Sequence, residues 1–275
     1  QQTPDTAQLR SYVKDGPPTI TWIGHSTLLV QMGGLSFLTD PIWSKIPSPL
    51  PPLGPRRFVP PAVVINELPT IDFVMISHNH YDHLDLPTLR ALAGRNAHTL
   101  FLVPLGNAAL LQRHGIDNVR ELDWGESVRL AGLTVHCLPA QHWSKRSLTD
   151  TNKALWSSWA VLGERRRFYH AGDTGYFPGF KQIAEYLGPF DLAAVPIGAY
   201  APRQMMRASH MNPEEAVSAA LDLDAKTAVA MHFGTFDLSD EPLNQPPRRF
   251  KQAAAAQGLG EEQAWVLKIG ETRSF

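Results

Sequence analysis

The sequence predicts an α/β chain of mixed α+β order, with a pair of β-sheets in the middle covered by helices. Three observations predict it. Short apolar strand patterns recur in both halves, several of them paired as hairpins, and helical patterns stand between them. Polar residues able to bind metal recur at the ends of those strands. The 275 residues, 43% of them hydrophobic, can bury a full-sized core, as one domain or as two halves around a shared interior.

Residues 1–17 are polar without a clear period and read as an N-terminal arm. Strands are expected at Thr19 to Ile23, Thr27 to Met32 and Leu35 to Thr39, with Gly33-Gly34 closing a tight hairpin between the last two. Residues 41–62 hold too many prolines for a regular element, yet carry Ile42, Trp43, Ile46, Leu50, Leu53 and Phe58. That segment is either a rigid surface excursion or a lid or wall near the active site. Val74 to Ser77 reads as a buried strand, Leu86 to Ala93 as a helix, Thr99 to Val103 as a strand and Asn107 to His114 as a helix. Two hairpins follow, Val128 to Leu130 with Leu133 to Leu138, and Trp159 to Leu162 with Arg167 to His170. A helix over Phe180 to Leu187 and a strand over Asp191 to Val195 come next. Asn212-Pro213-Glu214-Glu215 opens a helix, with Asn212 as N-cap and Glu215 at the capping-box position. Ala228 to Met231 is a strand, Pro247 to Gln257 a helix and Trp265 to Ile269 a closing strand.

Charge is nearly balanced, 25 Lys and Arg against 26 Asp and Glu, with no basic stripe. No nucleic-acid partner is therefore expected. The single cysteine, Cys137, excludes a disulfide framework within the chain and reads as a buried core thiol. No run has the length of a transmembrane helix. Localisation stays open between cytoplasm and periplasm, with peripheral membrane contact as an option.

The chemistry lies in Ser77-His78-Asn79-His80-Tyr81-Asp82-His83, four metal-capable side chains directly after an apolar strand. His78 and His80 share a face if the strand continues, and Asp82 and His83 follow in a turn. Imidazole and carboxylate are zinc ligands. Further donors are needed, and His142, Asp173 and His232 each follow a strand. His210, just before a helix, is a ligand, an acid–base group, a phosphate-positioning donor or an idle loop histidine. His25 is either a group bracing a ligand or a structural histidine. His98, His114 and His136 read as ordinary, and His170 as packed or bracing. Trp43, Trp143, Phe177 and Tyr200 are candidates for a substrate wall, against the commoner fate of aromatics as core.

These residues resemble the signature of the metallo-beta-lactamase superfamily, His78-x-His80-x-Asp82-His83. The chain further resembles the N-acyl-phosphatidylethanolamine-hydrolysing phospholipase D family. The matching stretches are Thr21 to Thr27, Leu38 to Pro41, Pro139 to Trp143, Ala171 to Tyr176, Pro213 to Ala216 and His232 to Phe236. Asp40 lies in the second of these and joins the candidates for bracing. The resemblance implies an αβ/βα sandwich of two mixed β-sheets flanked by helices, as a single domain over residues 18–275. It implies two metal ions, zinc by preference with manganese or iron as alternatives. His78, His80 and His142 would hold one, Asp82, His83 and His232 the other, with Asp173 between them. His210 matches a histidine that contacts substrate phosphate, so Asp82, Asp173 and His210 are the implied catalytic group.

The expected activity is hydrolysis of a small-molecule or lipid phosphodiester by metal-activated water. The same centre would serve a lactonase, amidase or other carbonyl hydrolase. A degenerate metal-binding interaction protein is the reading outside enzymes, and the complete donor set argues against it.

Overall fold

The computed structural model describes residues 1–12 and 16–275. Its strands are β1 (Thr19–Gly24), β2 (Thr27–Met32), β3 (Leu35–Thr39), β4 (Phe73–Met75), β5 (Leu100–Pro104), β6 (Val119–Leu122), β7 (Ser127–Leu130), β8 (Leu133–Leu138), β9 (Ser158–Leu162), β10 (Arg167–His170), β11 (Phe190–Pro196), β12 (Ala225–Met231), β13 (Ala264–Trp265) and β14 (Thr272–Ser274). The α-helices are α1 (Thr6–Arg10), α2 (Leu86–Arg95), α3 (Ala108–Gln112), α4 (Gly179–Leu187), α5 (Arg203–Met206), α6 (Pro213–Asp222) and α7 (Gln245–Ala256). One sheet runs in the order β14-β1-β2-β3-β4-β5-β6, the other β13-β12-β11-β10-β9-β8-β7. Each is mixed: the first is antiparallel from β14 to β3 and parallel from β3 to β6, the second antiparallel from β7 to β10 and parallel from β10 to β13. The expected pair of helix-covered sheets is present.

The strands read as continuous apolar runs because both faces are buried. Alternate residues go to different cores. Leu28, Val30, Phe73 and Met75 join the larger core with Val135, Val161 and Phe168 of the second sheet. Leu29, Leu38, Val74 and Ile76 face the other way, into a core with Leu89, Leu92 and Leu111 of α2 and α3. On the second sheet, α4, α6 and α7 contribute Ile183, Val217 and Phe250.

Strand direction positions the site. β1 and β3 are each antiparallel to β2, and β3 is parallel to β4, so the C-terminal ends of β1, β3 and β4 share one edge. β8 and β10 are each antiparallel to β9, and β10, β11 and β12 are parallel. Their C-terminal ends also share an edge. His25, Asp40 and His78 follow the first set of ends, and His142, Asp173 and His232 the second.

Several expectations need correction. The arm over 1–17 contains α1, capped by Asp5, and Leu9 is buried in the helix-side core; residues 13–15 of that arm lie outside the described residues. β6 escaped notice because Arg120 and Glu121 interrupt its apolar pattern. The closing strand over Trp265 to Ile269 is shorter, ending at Trp265. Beyond it the chain turns at Gly270 (φ 93°), whose N–H donates to Trp22 O, and enters β14 on the opposite sheet. The 41–62 segment is irregular, as its prolines require.

Gly172, at φ 61°, lets the loop after β10 close on the loop after β4. A Cβ there would lie 2.6 Å from Ser77 Cβ and 3.0 Å from Ser157 O. Gly172→Ala is therefore expected to cost about 1–3 kcal/mol, as overpacking does. Urea unfolding measures it, and an unchanged midpoint would contradict the close approach.

Candidate metal centre

The centre begins with a tautomer problem. An imidazole can offer a lone pair to a cation only through the nitrogen that carries no proton, so the other nitrogen must donate elsewhere. Three histidines solve it alike. His83 Nδ1 lies 2.8 Å from Asp40 Oδ2. His142 Nδ1 lies 2.9 Å from the Ser209 carbonyl. His78 Nδ1 lies 2.9 Å from Ser77 Oγ, which itself donates to Asp40 Oδ2 at 2.7 Å. All three therefore turn Nε2 toward the centre.

Asp40 is fully buried and sits at φ 37°. Besides His83 and the Ser77 hydroxyl it accepts the Ser77 N–H at 2.6 Å and His170 Nε2 at 3.1 Å. Burial opposes its charge, but His83 and His170 outweigh that and hold the carboxyl well below the usual range. His170 thus braces Asp40 rather than the centre itself.

The donors converge in two groups. In the first, His78, His80 and His142 bring nitrogens within 4.8 Å of one another, and His80 Nδ1 stands 3.2 Å from His142 Nε2. In the second, His83 Nε2 stands 3.3 Å from Asp82 Oδ2 and 3.2 Å from Asp173 Oδ2. His232 Nε2 stands 3.4 Å and 3.2 Å from the same two oxygens. Corners about 3.3 Å apart, in a tetrahedron, lie about 2.0 Å from its centre, which matches zinc–nitrogen and zinc–oxygen bonds. Asp173 Oδ2 also lies 3.9 Å from His78 Nε2 and 4.0 Å from His142 Nε2, between the groups.

Apart from the His80–His142 pair, these contacts are not hydrogen bonds. Nε2 of His78, His83 and His232 and Oδ1 of Asp173 are buried without a hydrogen-bond partner. So many converging unsatisfied lone pairs fit a cation, because buried polar atoms are otherwise paired. Without one, the carboxylates favour protons on the rings. Burial opposes the charged form, but Asp173 with Asp82 holds His83 well above its ordinary value and His232 up to about 9. Burial and the neighbouring imidazoles push His78 and His142 well down. Asp82 and Asp173 stay well below the carboxylate range because His83 and His232 outweigh burial. A cation entering the second group must displace protons.

His210 belongs to neither of these groups, though one of its ring nitrogens lies within 4.8 Å of donor atoms on His142 and Asp173. Its Nδ1 is 3.9 Å from Asp173 Oδ2 and its ring is edge-on to His142 at 5.1 Å. Burial pushes it down to about 4, so it is neutral near pH 7. Arg203 was missed by sequence reasoning. Its guanidinium donates to the His210 carbonyl at 2.6 Å and pairs with Glu215, which closes the expected capping box of α6. Ser77 and Ser209 were missed as orienting groups too. The only signal for them is that each immediately precedes a histidine.

His25 Nε2 is 3.0 Å from Asp82 Oδ2. Of the wall candidates, Trp143 meets His80 edge-on at 4.4 Å and is partly exposed. The other three are placed differently. Trp43 donates to Val63 O, and its N–H is held by Thr88. Phe177 packs on Phe180 at 4.7 Å. Tyr200 directs its hydroxyl to Gln245. Among the described residues none of these three has a hydrogen bond or ring contact with the donor groups. The 41–62 segment reaches the His232 loop: Phe58 N donates to Thr235 O at 2.9 Å, and Arg57 lies over Phe236 at 4.7 Å. Cys137 is buried, and burial pushes its thiol up to about 12, as a core residue requires.

Comparison with known proteins gives the family and the fold. The Beta-lactamase superfamily domain matches residues 36–233. The chain is 44% identical to N-acyl-phosphatidylethanolamine-hydrolyzing phospholipase D 1 of Caenorhabditis elegans, over 83% of this chain and 67% of that protein. It is 47% identical to an uncharacterized protein of Mycobacterium tuberculosis, over 86% of this chain and 63% of that one. The chain thus spans about two thirds of these relatives' length. The structure of a metallo hydrolase from Ignicoccus hospitalis, 24% identical, superposes with a TM-score of 0.71 over 94% of this chain and 99% of that one.

If Asp40 sets the tautomers, Asp40→Asn should lower metal affinity about 10- to 100-fold. Competition against a chromophoric chelator measures this, with circular dichroism to verify the fold. Parent-like affinity in the folded variant would remove Asp40 from the account.

Proposed function

Because the chain belongs to the metallo-beta-lactamase superfamily and is a metal-dependent hydrolase, we propose that its reaction is hydrolysis of a phosphodiester. The proposed substrates are N-acyl-phosphatidylethanolamine-like phospholipids or related phosphodiesters. The proposed cofactor is a pair of zinc ions, one on His78, His80 and His142, the other on Asp82, His83 and His232, with Asp173 shared. The observation that carries the choice of phosphorus is His210. It is not among the residues expected to hold either ion, yet it is half-buried beside Asp173 and anchored by Arg203. The name of the worm relative supports the same reading.

Bound zinc would supply an activated water and positive charge for the phosphoryl oxygens. The chain's own residues do the rest. Asp82 and Asp173, both deprotonated, can accept the proton of attacking water. His210, neutral near pH 7, presents one N–H donor to a phosphoryl or leaving oxygen. Trp143, edge-on to His80 and partly exposed, offers apolar surface beside the reacting group. Carbonyl hydrolysis would use the donor groups equally well, so His210 is the residue that separates the two readings.

The test is a panel of a chromogenic phosphodiester, an N-acyl phospholipid, a lactone and a beta-lactam, each with and without chelator. Chelator-sensitive turnover of the phosphodiesters is expected. Turnover of the lactone or lactam alone would move the chemistry to carbonyl carbon. His210→Ala should keep its metal and lose about 10²–10³ in phosphodiester turnover, the usual cost of one transition-state donor. Full activity in that variant would end its assigned role.

A further inference from the structure

We propose that His25 is a positioning residue that sets two donors of the second group at once, Asp82 through its ring and His232 through its backbone, and so controls metal occupancy of that group alone. The inference rests on the metal-binding reading above. His25 occupies the turn between β1 and β2, is 1% exposed and sits in the left-handed region at φ 55°. A turn that only reversed the chain would favour Asn or Gly there. An imidazole persists in that conformation because its surroundings hold it.

Those surroundings link the two sheets. The His25 N–H donates to Thr235 Oγ1 at 2.8 Å. Its carbonyl accepts Trp22 Nε1 at 2.8 Å and the His232 N–H at 3.1 Å. Its ring packs on His232 at 4.2 Å and edge-on to Phe236 at 5.1 Å. β1 lies in one sheet, and the strand before His232 lies in the other. One residue therefore fixes where the loop after β12 meets the end of β1.

Its side chain then reaches the third element. His25 Nε2 is 3.0 Å from Asp82 Oδ2, the same oxygen that faces His83 and His232. A deprotonated carboxylate only accepts, so Nε2 carries the proton and donates it. One ring nitrogen of His25 lies within 4.8 Å of donor atoms on Asp82, His83 and His232. A nitrogen that donates has no lone pair for a cation, so His25 orients that group without joining it. The first group owes its orientation to other residues, Ser77 for His78 and Ser209 for His142.

The test is stepwise zinc binding by competitive chelator titration, with anomalous scattering from crystals to assign each step to a donor group. His25→Gly removes the ring, suits the left-handed backbone and keeps the carbonyl that receives His232. It should weaken the step at the second group about 10- to 100-fold and leave the first within about twofold. His25→Gln, whose amide nitrogen can donate to the same carboxylate oxygen, should restore most of the loss. If the glycine variant does not fold, the glutamine variant carries the test, with near-parent binding at both steps expected. Parent-like binding at both steps in a folded His25→Gly protein would overturn the proposal. So would an equal fall at both steps in either variant. A parent protein that binds no zinc fails at the metal reading instead, which the titration of the unaltered chain shows first.

Discussion

One buried carboxylate sets the orientation of a histidine in each donor group. Asp40 fixes His83 directly and His78 through Ser77, so one side chain decides which nitrogen two histidines present. A buried charge of this kind is tolerable only if several donors meet it, and Asp40 receives four. The strain is local. Asp40, His25 and His232 all adopt positive φ, and all three stand where a strand ends at the centre. Residues other than glycine seldom hold that conformation without a reason in the surrounding structure.

Strand polarity supplies the second constraint. Six strands, three from each sheet, deliver their C-terminal ends to one edge of the sandwich. Donors separated by up to 154 positions, from His78 to His232, therefore meet within a few ångströms. The donors stand in the loops just beyond these strand ends, and the same loops, with the segment before α6, carry Trp143 and His210 beside them.

Most of this architecture was legible in the sequence. β2, β3, β8 and β10 fall where the apolar patterns put them, because strands buried on both faces leave unbroken runs. The histidines and aspartates that the structure brings together drew notice because they lie at or within a few residues of such runs. β6 and β14 were not. One carries charges at a sheet edge, and the other is a three-residue strand whose pairing partner lies 251 positions away in sequence. Of four aromatics proposed for a substrate wall, Trp143 packs edge-on to a donor ring, while periodicity says that a ring is buried but not against what. Arg203 acts through a backbone carbonyl, a contact that leaves no pattern along the chain.

The central claim is that two donor groups sharing Asp173 hold two metal ions. The most direct measurement is the metal-to-protein ratio after zinc loading and desalting, read by inductively coupled plasma mass spectrometry. The account predicts two zinc ions per chain. A ratio of one at saturation would mean that the second group closes on protons instead of metal, and the paired centre would be wrong.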